Sequence, residues 1–176
     1  MKHSMSPPPA TSRHDLLLDA FRRYEQRLLR YAHSLCHDLE LSQDAVQDAF
    51  IRLARDIGRL EPGDFGAWLF SVCRNRLFDL MRRAGKEQRL DESLAGEPDS
   101  ALPPDAAVAQ SEEAQHVQQL VERLPAAQRE VVRLRFIGGL SYQEIAGITN
   151  QSAGTVGWLL HEALQSLRKH CTHSVP

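Results

Sequence analysis

Apolar positions recur at three- and four-residue intervals along almost the whole chain, and no stretch alternates long enough to read as a strand. Leu17, Phe21, Tyr24, Leu28, Tyr31 and Leu35 make one stripe of a helix expected from about Arg13 to Cys36, with an arginine-rich opposite face. Ser42 is the expected N-cap of a second helix that turns Ala45, Ala49, Ile51, Leu53 and Ile57 inward. Asp44, Gln47 and Asp48 fall outside that pattern and are expected to face solvent or a partner. The Pro-Gly pair in LEPGD, Leu60 to Asp64, predicts a loop. Asp64 is then expected to cap a third helix through Trp68, Leu69, Val72, Leu77 and Leu80 to about Arg83.

The helical period is lost in LDESLAGEPDSALPPDAAV, Leu90 to Val108, where Pro, Gly, Ser and acidic residues predict a linker. It returns at Ser111, which is expected to open a helix through Val117, Leu120, Val121 and Leu124 that Pro125 ends. AAQREVVRLRFI predicts another helix, stopped at Gly138 and Gly139, and Ser141 with Glu144 forms a capping box for SYQEIAGI. The polar turn TNQS leads into the last helix. The expected fold is all-α: a terminal segment 1–12, a helical domain 13–89, a flexible acidic linker 90–110, a helix-turn-helix domain 111–170 and a tail 171–176.

Charge sharpens this division, because a net charge of -2 hides segregated signs. Trp68 to Arg89 carries six basic residues (Arg74, Arg76, Arg82, Arg83, Lys86, Arg89) against two acidic, +4. Leu90 to Ala114 carries seven acidic residues and no basic one, -7, and Gln115 to His170 returns to +2. At 176 residues and 42% apolar content the chain can bury one or two modest cores. No stretch has the apolar length of a membrane span and the first residues lack a secretory core, so a cytoplasmic protein is expected. Three cysteines without a C-x-x-C pair argue against a disulfide framework or zinc ribbon.

Tyr142 to Leu160 satisfies the steric grammar of a helix-turn-helix, although an ordinary helical hairpin shares it. Ala146 is small where two helices cross, and Asn150 stands where the turn needs a left-handed backbone. Thr149 and Gln151 flank that turn where apolar residues usually lock the helices together. Val156, Leu160, Ala163, Leu164 and Leu167 predict an inward face for the last helix. Gly154, Thr155, Trp158, His161, Glu162 and Gln165 are left outside, with no lysine or arginine until Arg168.

Three further stretches complete a pattern: SQDAVQDAFIRL, FGAWLFSVCRNRLFDLMRR and LVERLPAAQREVVRLRFIGGLSYQEIAGI. In this order, joined by an acidic linker, they resemble the sigma factors of bacterial RNA polymerase, in the small two-domain extracytoplasmic-function group of the sigma-70 family. The resemblance covers about Ala20 to Lys169. It implies a factor that directs promoter recognition and DNA melting, bound to core polymerase through the largest subunit's coiled coil and the flap. Asp44, Gln47 and Asp48 would dock on the coiled coil. Arg59 to Phe65, including Asp64, would be the loop that captures an unstacked base. Arg74, Asn75 and Asp79, with Arg82 and Arg83, would hold opened single-stranded DNA, with Trp68, Phe70 and Phe78 the nearby aromatics and Trp68 largely structural.

Ser141, Tyr142, Ser152, Ala153, Gly154, Thr155, Trp158 and His161 would recognise the duplex upstream element. The acidic linker would thread the channel that later carries RNA. An anti-sigma factor is an expected partner. Where the family commonly has a Lys-Ser-Arg-like run, this chain has Gly157, Trp158 and Leu159, so those basic contacts do not carry over. What remains is the amino end of the helix, whose N–H groups from Ser152 to Thr155 can hold a phosphate, and Trp158, readable as a DNA contact or as a protein-docking anchor.

His33, Cys36 and His37, at helical offsets 0, 3 and 4, could share a face around a zinc ion, but a fourth ligand is not evident. They are read as exposed histidines near a core thiol. No nucleophile, base and phosphate-loop constellation assembles, so no catalytic site, metal or cofactor is expected. Two rival functions fit parts of the pattern: a stand-alone helix-turn-helix regulator, which leaves the basic helix and acidic patch unused, and a sigma mimic that occupies anti-sigma partners.

Overall fold

The computed structural model describes residues 12–85 and 112–172. Its described residues form seven α-helices and one 3-10 turn: α1 (Arg13–Cys36), α2 (Leu39–Asp56), the turn Pro62–Asp64, α3 (Phe65–Arg83), α4 (Glu112–Glu122), α5 (Ala126–Phe136), α6 (Tyr142–Thr149) and α7 (Ala153–Thr172). They contain no strand, as the apolar period requires. The expected linker, Lys86, Arg89 and the opening at Ser111 lie outside the described residues.

Capping sets the ends of these helices. At the start of α1 the Asp15 amide donates to Ser12 Oγ at 3.1 Å and the Ser12 amide to Asp15 Oδ2 at 3.2 Å. The second helix begins earlier than expected: Asp38, not Ser42, is its N-cap and accepts from the Leu41 amide at 3.1 Å. Ser42 is buried instead, its hydroxyl donating to the Asp38 carbonyl at 2.6 Å and lying 3.2 Å from Cys36 Sγ. A serine satisfied by the preceding turn can sit inside a helix, so its cap propensity was misleading. Asp64 likewise makes no side-chain cap; it ends the 3-10 turn, and its amide donates to the Glu61 carbonyl at 2.9 Å.

Helices α1 to α3 wrap Leu28, Tyr31, Leu53, Leu69, Phe70, Cys73 and Leu77, all fully buried. Ala32, Ala45 and Ala49, also fully buried, let α1 and α2 approach closely. Burial pushes the Cys73 thiol up to about 12, which makes it inert. Phe21 and Ile51, expected in this core, are 42% and 43% exposed. With Leu17, Leu29, Val46 and Phe50 they line an apolar groove of about 610 Å³ between α1 and α2.

In the second half, Ser141 and Glu144 form the expected capping box, with the Glu144 amide 3.3 Å from Ser141 Oγ and the Ser141 amide 2.6 Å from Glu144 Oε2. Asn150 adopts the left-handed backbone at φ 54° and donates its amide to the Ala146 carbonyl. At the flanks of this turn, the Thr149 hydroxyl donates to the Ile145 carbonyl at 2.8 Å, and Gln151 Oε1 is buried without a partner. Gly139, at φ 62°, completes the stop of α5, and the Leu140 amide reaches back to the Leu134 carbonyl at 3.3 Å. The two halves are not separate in space. α5 packs on α1, α6 on α3, and the buried apolar side chains form one continuous cluster through both.

One titration is built into α1. His33 Nε2 is buried without a partner, and burial, then the charge of His37, holds its pKa below the usual 6.5, with Asp38 opposing. A folded-state pKa below the unfolded value means that the unfolded chain binds more protons. Stability is therefore expected to be level above pH 6.5 and to fall as pH drops below it. Thermal midpoints of wild type and His33→Gln between about pH 7.5 and 5.5 check this, in the window where histidine alone titrates. Burial lowers the His37 pKa in the same window, so the variant keeps some slope, and a wild-type slope no steeper than the variant's would refute the His33 contribution.

Candidate nucleic-acid interface

Helix α3 divides its polar residues between two faces. Asn75, Asp79, Arg82 and Arg83 are exposed at helical offsets 0, 4, 7 and 8, so they form one solvent-facing stripe. Arg82 pairs with Asp79 at 3.2 Å in an exposed i,i+3 contact, which holds the guanidinium only weakly. Arg59 extends into solvent beyond α2, 3.8 Å from Asp56, and Asp64 is exposed below it.

Several expected contacts are turned elsewhere. Arg74 is not free on the stripe: Nε donates to Glu130 Oε1 at 2.5 Å and Nη2 to Oε2 at 3.3 Å, and its guanidinium lies 4.7 Å from the centre of the Phe78 ring. Arg76 forms an ion pair with Asp48, so Asp48 ties α2 to α3 while Asp44 stays exposed and Gln47 stands at the rim of the apolar groove. Phe65 is only 4% exposed and Phe70 fully buried, edge-on to Tyr31 with ring centres 5.3 Å apart. Neither ring is available for base stacking, because the inner face of α3 needs them as core. Trp68 is half-buried and packs against that core.

On α7, Val156, Leu159, Leu160 and Ala163 are buried, and Leu164 and Leu167 are half-buried. Leu159 was not expected inward; its burial explains why no arginine stands there. Gly154, Thr155, Trp158, His161 and Gln165 are exposed together, Trp158 at 59%, and His161 Nε2 lies 2.8 Å from Gln165 Nε2. Glu162 and Ala153 are half-buried. The amino end is partly self-satisfied: the Thr155 amide donates to Ser152 Oγ at 3.0 Å, and the two hydroxyls are 2.8 Å apart. That amide is therefore already used by the cap and is not left for a phosphate.

A cation missed by the sequence reading stands nearby. Arg135, exposed on α5, donates to the Leu140 carbonyl at 2.8 Å and lies 5.6 Å from the centre of the Tyr142 ring. Tyr142 in turn covers the α7 backbone, since a Cβ at Gly157 would sit 3.5 Å from its ring. Charge thus reaches the neutral helix from α5, and only the close packing of α5, α6 and α7 reveals it. Cys36 Sγ is 3.4 Å from the Ala32 carbonyl and 3.3 Å from the Asp38 carbonyl, so the thiol is engaged by the backbone, and no metal-holding cluster of His, Cys, Asp and Glu occurs among the described residues.

Comparison with known proteins agrees with this arrangement. The Sigma-70 region 2 family matches residues 20–87 and the Sigma-70, region 4 family residues 114–167. The ECF RNA polymerase sigma factor SigE of Mycolicibacterium smegmatis is 30% identical, the match covering 85% of this chain and 59% of that protein. The ECF RNA polymerase sigma factor SigW of Bacillus subtilis is 29% identical, with 88% of each covered. In the solved structures, the sigma factor RpoE of Bartonella quintana, in complex with the anti-sigma factor NepR, superposes with a TM-score of 0.65 at 27% identity, over 90% of this chain and 96% of that one. A basic stripe on one helical domain, a helix-turn-helix on a second, and both regional matches in their order make this chain a member of the sigma-70 family of RNA polymerase sigma factors, in the extracytoplasmic-function group.

Proposed function

We propose that the chain's two domains, 13–89 and 111–170, divide promoter recognition between them, without a catalytic step of their own. The observation that carries this reading is the exposed stripe Asn75, Asp79, Arg82 and Arg83, set on the same chain as an exposed recognition face. The stripe, with Arg59 and Asp64, holds opened single-stranded DNA. Asp44 and Gln47, beside the apolar groove, dock on the coiled coil of the polymerase largest subunit. Helix α7 enters duplex DNA with Thr155, Trp158 and His161, while Ser141, Tyr142 and Arg135 meet the backbone beside it. The indole suits thymine methyls and sugar edges, so recognition uses shape and apolar contact more than charge. An anti-sigma protein is the expected inhibitory partner, as NepR is in the complex with RpoE.

The test is initiation on a promoter library with core polymerase added, scored against binding by the protein alone. Transcripts that require both components support the reading. Tight specific binding without polymerase would favour a stand-alone regulator, and no transcripts from any template would favour a mimic. In the same assay Trp158→Ala is expected to keep transcribing but to lose about tenfold discrimination among upstream sequences, the size of one good base contact. Unchanged discrimination would assign Trp158 to protein docking.

A further inference from the structure

Along the outer edge of α7, Thr155, Trp158 and His161 follow one another at three-residue steps, and all are exposed. The Thr155 hydroxyl lies 2.8 Å from that of Ser152, and His161 Nε2 lies 2.8 Å from Gln165 Nε2, so both polar members of this row are already engaged within the chain. Trp158 between them is 59% exposed and, among the described residues, has neither a hydrogen-bond nor a ring partner. Tyr142 on α6, 45% exposed, brings a second ring alongside, its Cε2 placed 3.5 Å from where a Cβ on Gly157 would sit. Arg135 is held on the Leu140 carbonyl and beside the Tyr142 ring, not on α7. The centre of the face is therefore apolar and uncharged.

Such a face discriminates between bases by what it leaves unpaired. In the major groove every base edge presents hydrogen-bonding groups, and thymine alone adds an apolar one, its C5 methyl. An indole has one donor, Nε1–H, and no acceptor. Over the amino groups of adenine or cytosine it offers nothing to accept from them, and over guanine it can meet only one of two acceptors. A polar group left dry and unpaired is penalised, whereas against the methyl both surfaces lose apolar contact with water. We propose that Trp158 is the specificity-determining residue of α7 and that it selects a thymine in the upstream element through the C5 methyl, with the Tyr142 ring as the second wall of the contact. This assignment rests on the proposed role of α7 in reading duplex DNA. The indole neutralises no phosphate, so the preference it creates is independent of salt.

Deoxyuridine tests this directly, because it removes the methyl and leaves base pairing unchanged. Holoenzyme assembled from core polymerase and the full chain is given a promoter recovered from the library, with each upstream thymine replaced in turn by deoxyuridine, and initiation is measured at subsaturating holoenzyme. One replacement is expected to lower wild-type initiation about fourfold, the worth of one buried methyl. Trp158→Ala is expected to initiate equally on the thymine and deoxyuridine templates, and Trp158→Phe, which keeps an apolar ring, to retain a preference for thymine. Raising the salt is expected to lower initiation on both templates and to leave their ratio unchanged. Circular dichroism melting confirms that both variants fold as wild type does, as the exposure of Trp158 requires. If no thymine is sensitive to replacement, or if Trp158→Ala keeps the sensitivity, the indole is not the reader and the proposal is overturned while the functional reading stands. An equal loss by Trp158→Ala on every promoter would overturn it as well, by placing the indole against protein. A wild-type holoenzyme that initiates on no template would overturn the functional reading and this assignment together.

Discussion

We expect Arg82→Glu combined with Arg83→Glu to remove promoter opening while leaving attachment to core polymerase intact. Both side chains are exposed near the carboxyl end of α3, and Arg82 has as its ion-pair partner an exposed aspartate that a phosphate can displace. Reversal at two neighbouring positions changes the local charge by four units, turning a counterion-releasing contact into a repulsive one. The expected loss is on the order of a hundredfold or more in open-complex formation at moderate salt. Neither residue lies in a core, so the fold should survive. Permanganate footprinting of the opened strand measures the first effect, and competition for core polymerase against the wild-type protein measures the second. Wild-type opening by the double variant would remove α3 from the melting role, and lost core binding would mean that the stripe serves polymerase instead.

The second large effect belongs to an aromatic that the sequence places beside that stripe. Phe70→Ala is expected to destabilise the first domain by about 3–5 kcal/mol, the cost of deleting a fully enclosed aromatic ring. Phe70 has no exposed surface and meets Tyr31 edge-on, so its removal leaves a cavity between α1 and α3 and also strips a favourable ring pair. Phe78→Ala, by contrast, removes a half-buried ring that packs against the edge of the core and lies under the Arg74 guanidinium, and should cost less, about 1–2 kcal/mol. Urea unfolding followed by circular dichroism gives both values. Equal destabilisation by the two substitutions would contradict the placement of Phe70 in the core and Phe78 at its edge.

That contrast shows where sequence reasoning stopped. Periodicity separates a buried face from an exposed one, but Trp68, Phe70 and Phe78 lie on or near the boundary of the α3 stripe. Which ring is core depends on where α1 crosses, and no local pattern encodes that crossing. Leu159 is the same case on α7: it was read as one of three positions that replace a basic run, and the packing of α7 makes it core. The capping errors have a different origin. Ser42 carries the right side chain for a cap, but Asp38 takes the end of α2 first; Asp64 does stand at the N-cap position of α3, without a side-chain hydrogen bond.

By itself the sequence determined an all-helical chain, the left-handed turn at Asn150 and the capping box at Ser141 and Glu144. These are local properties, set by helical period, by side-chain caps and by the steric tolerance of a single residue. Tertiary structure alone decided that Asp48 is bound to Arg76, that Arg135 lies over the Tyr142 ring, and that Arg74 faces Glu130 across the two halves. Each of these joins residues from different helices, and the last spans 56 positions of chain. A charged side chain shows its partner only when the fold brings the two within hydrogen-bonding distance, and nothing in the spacing of either residue announces that meeting.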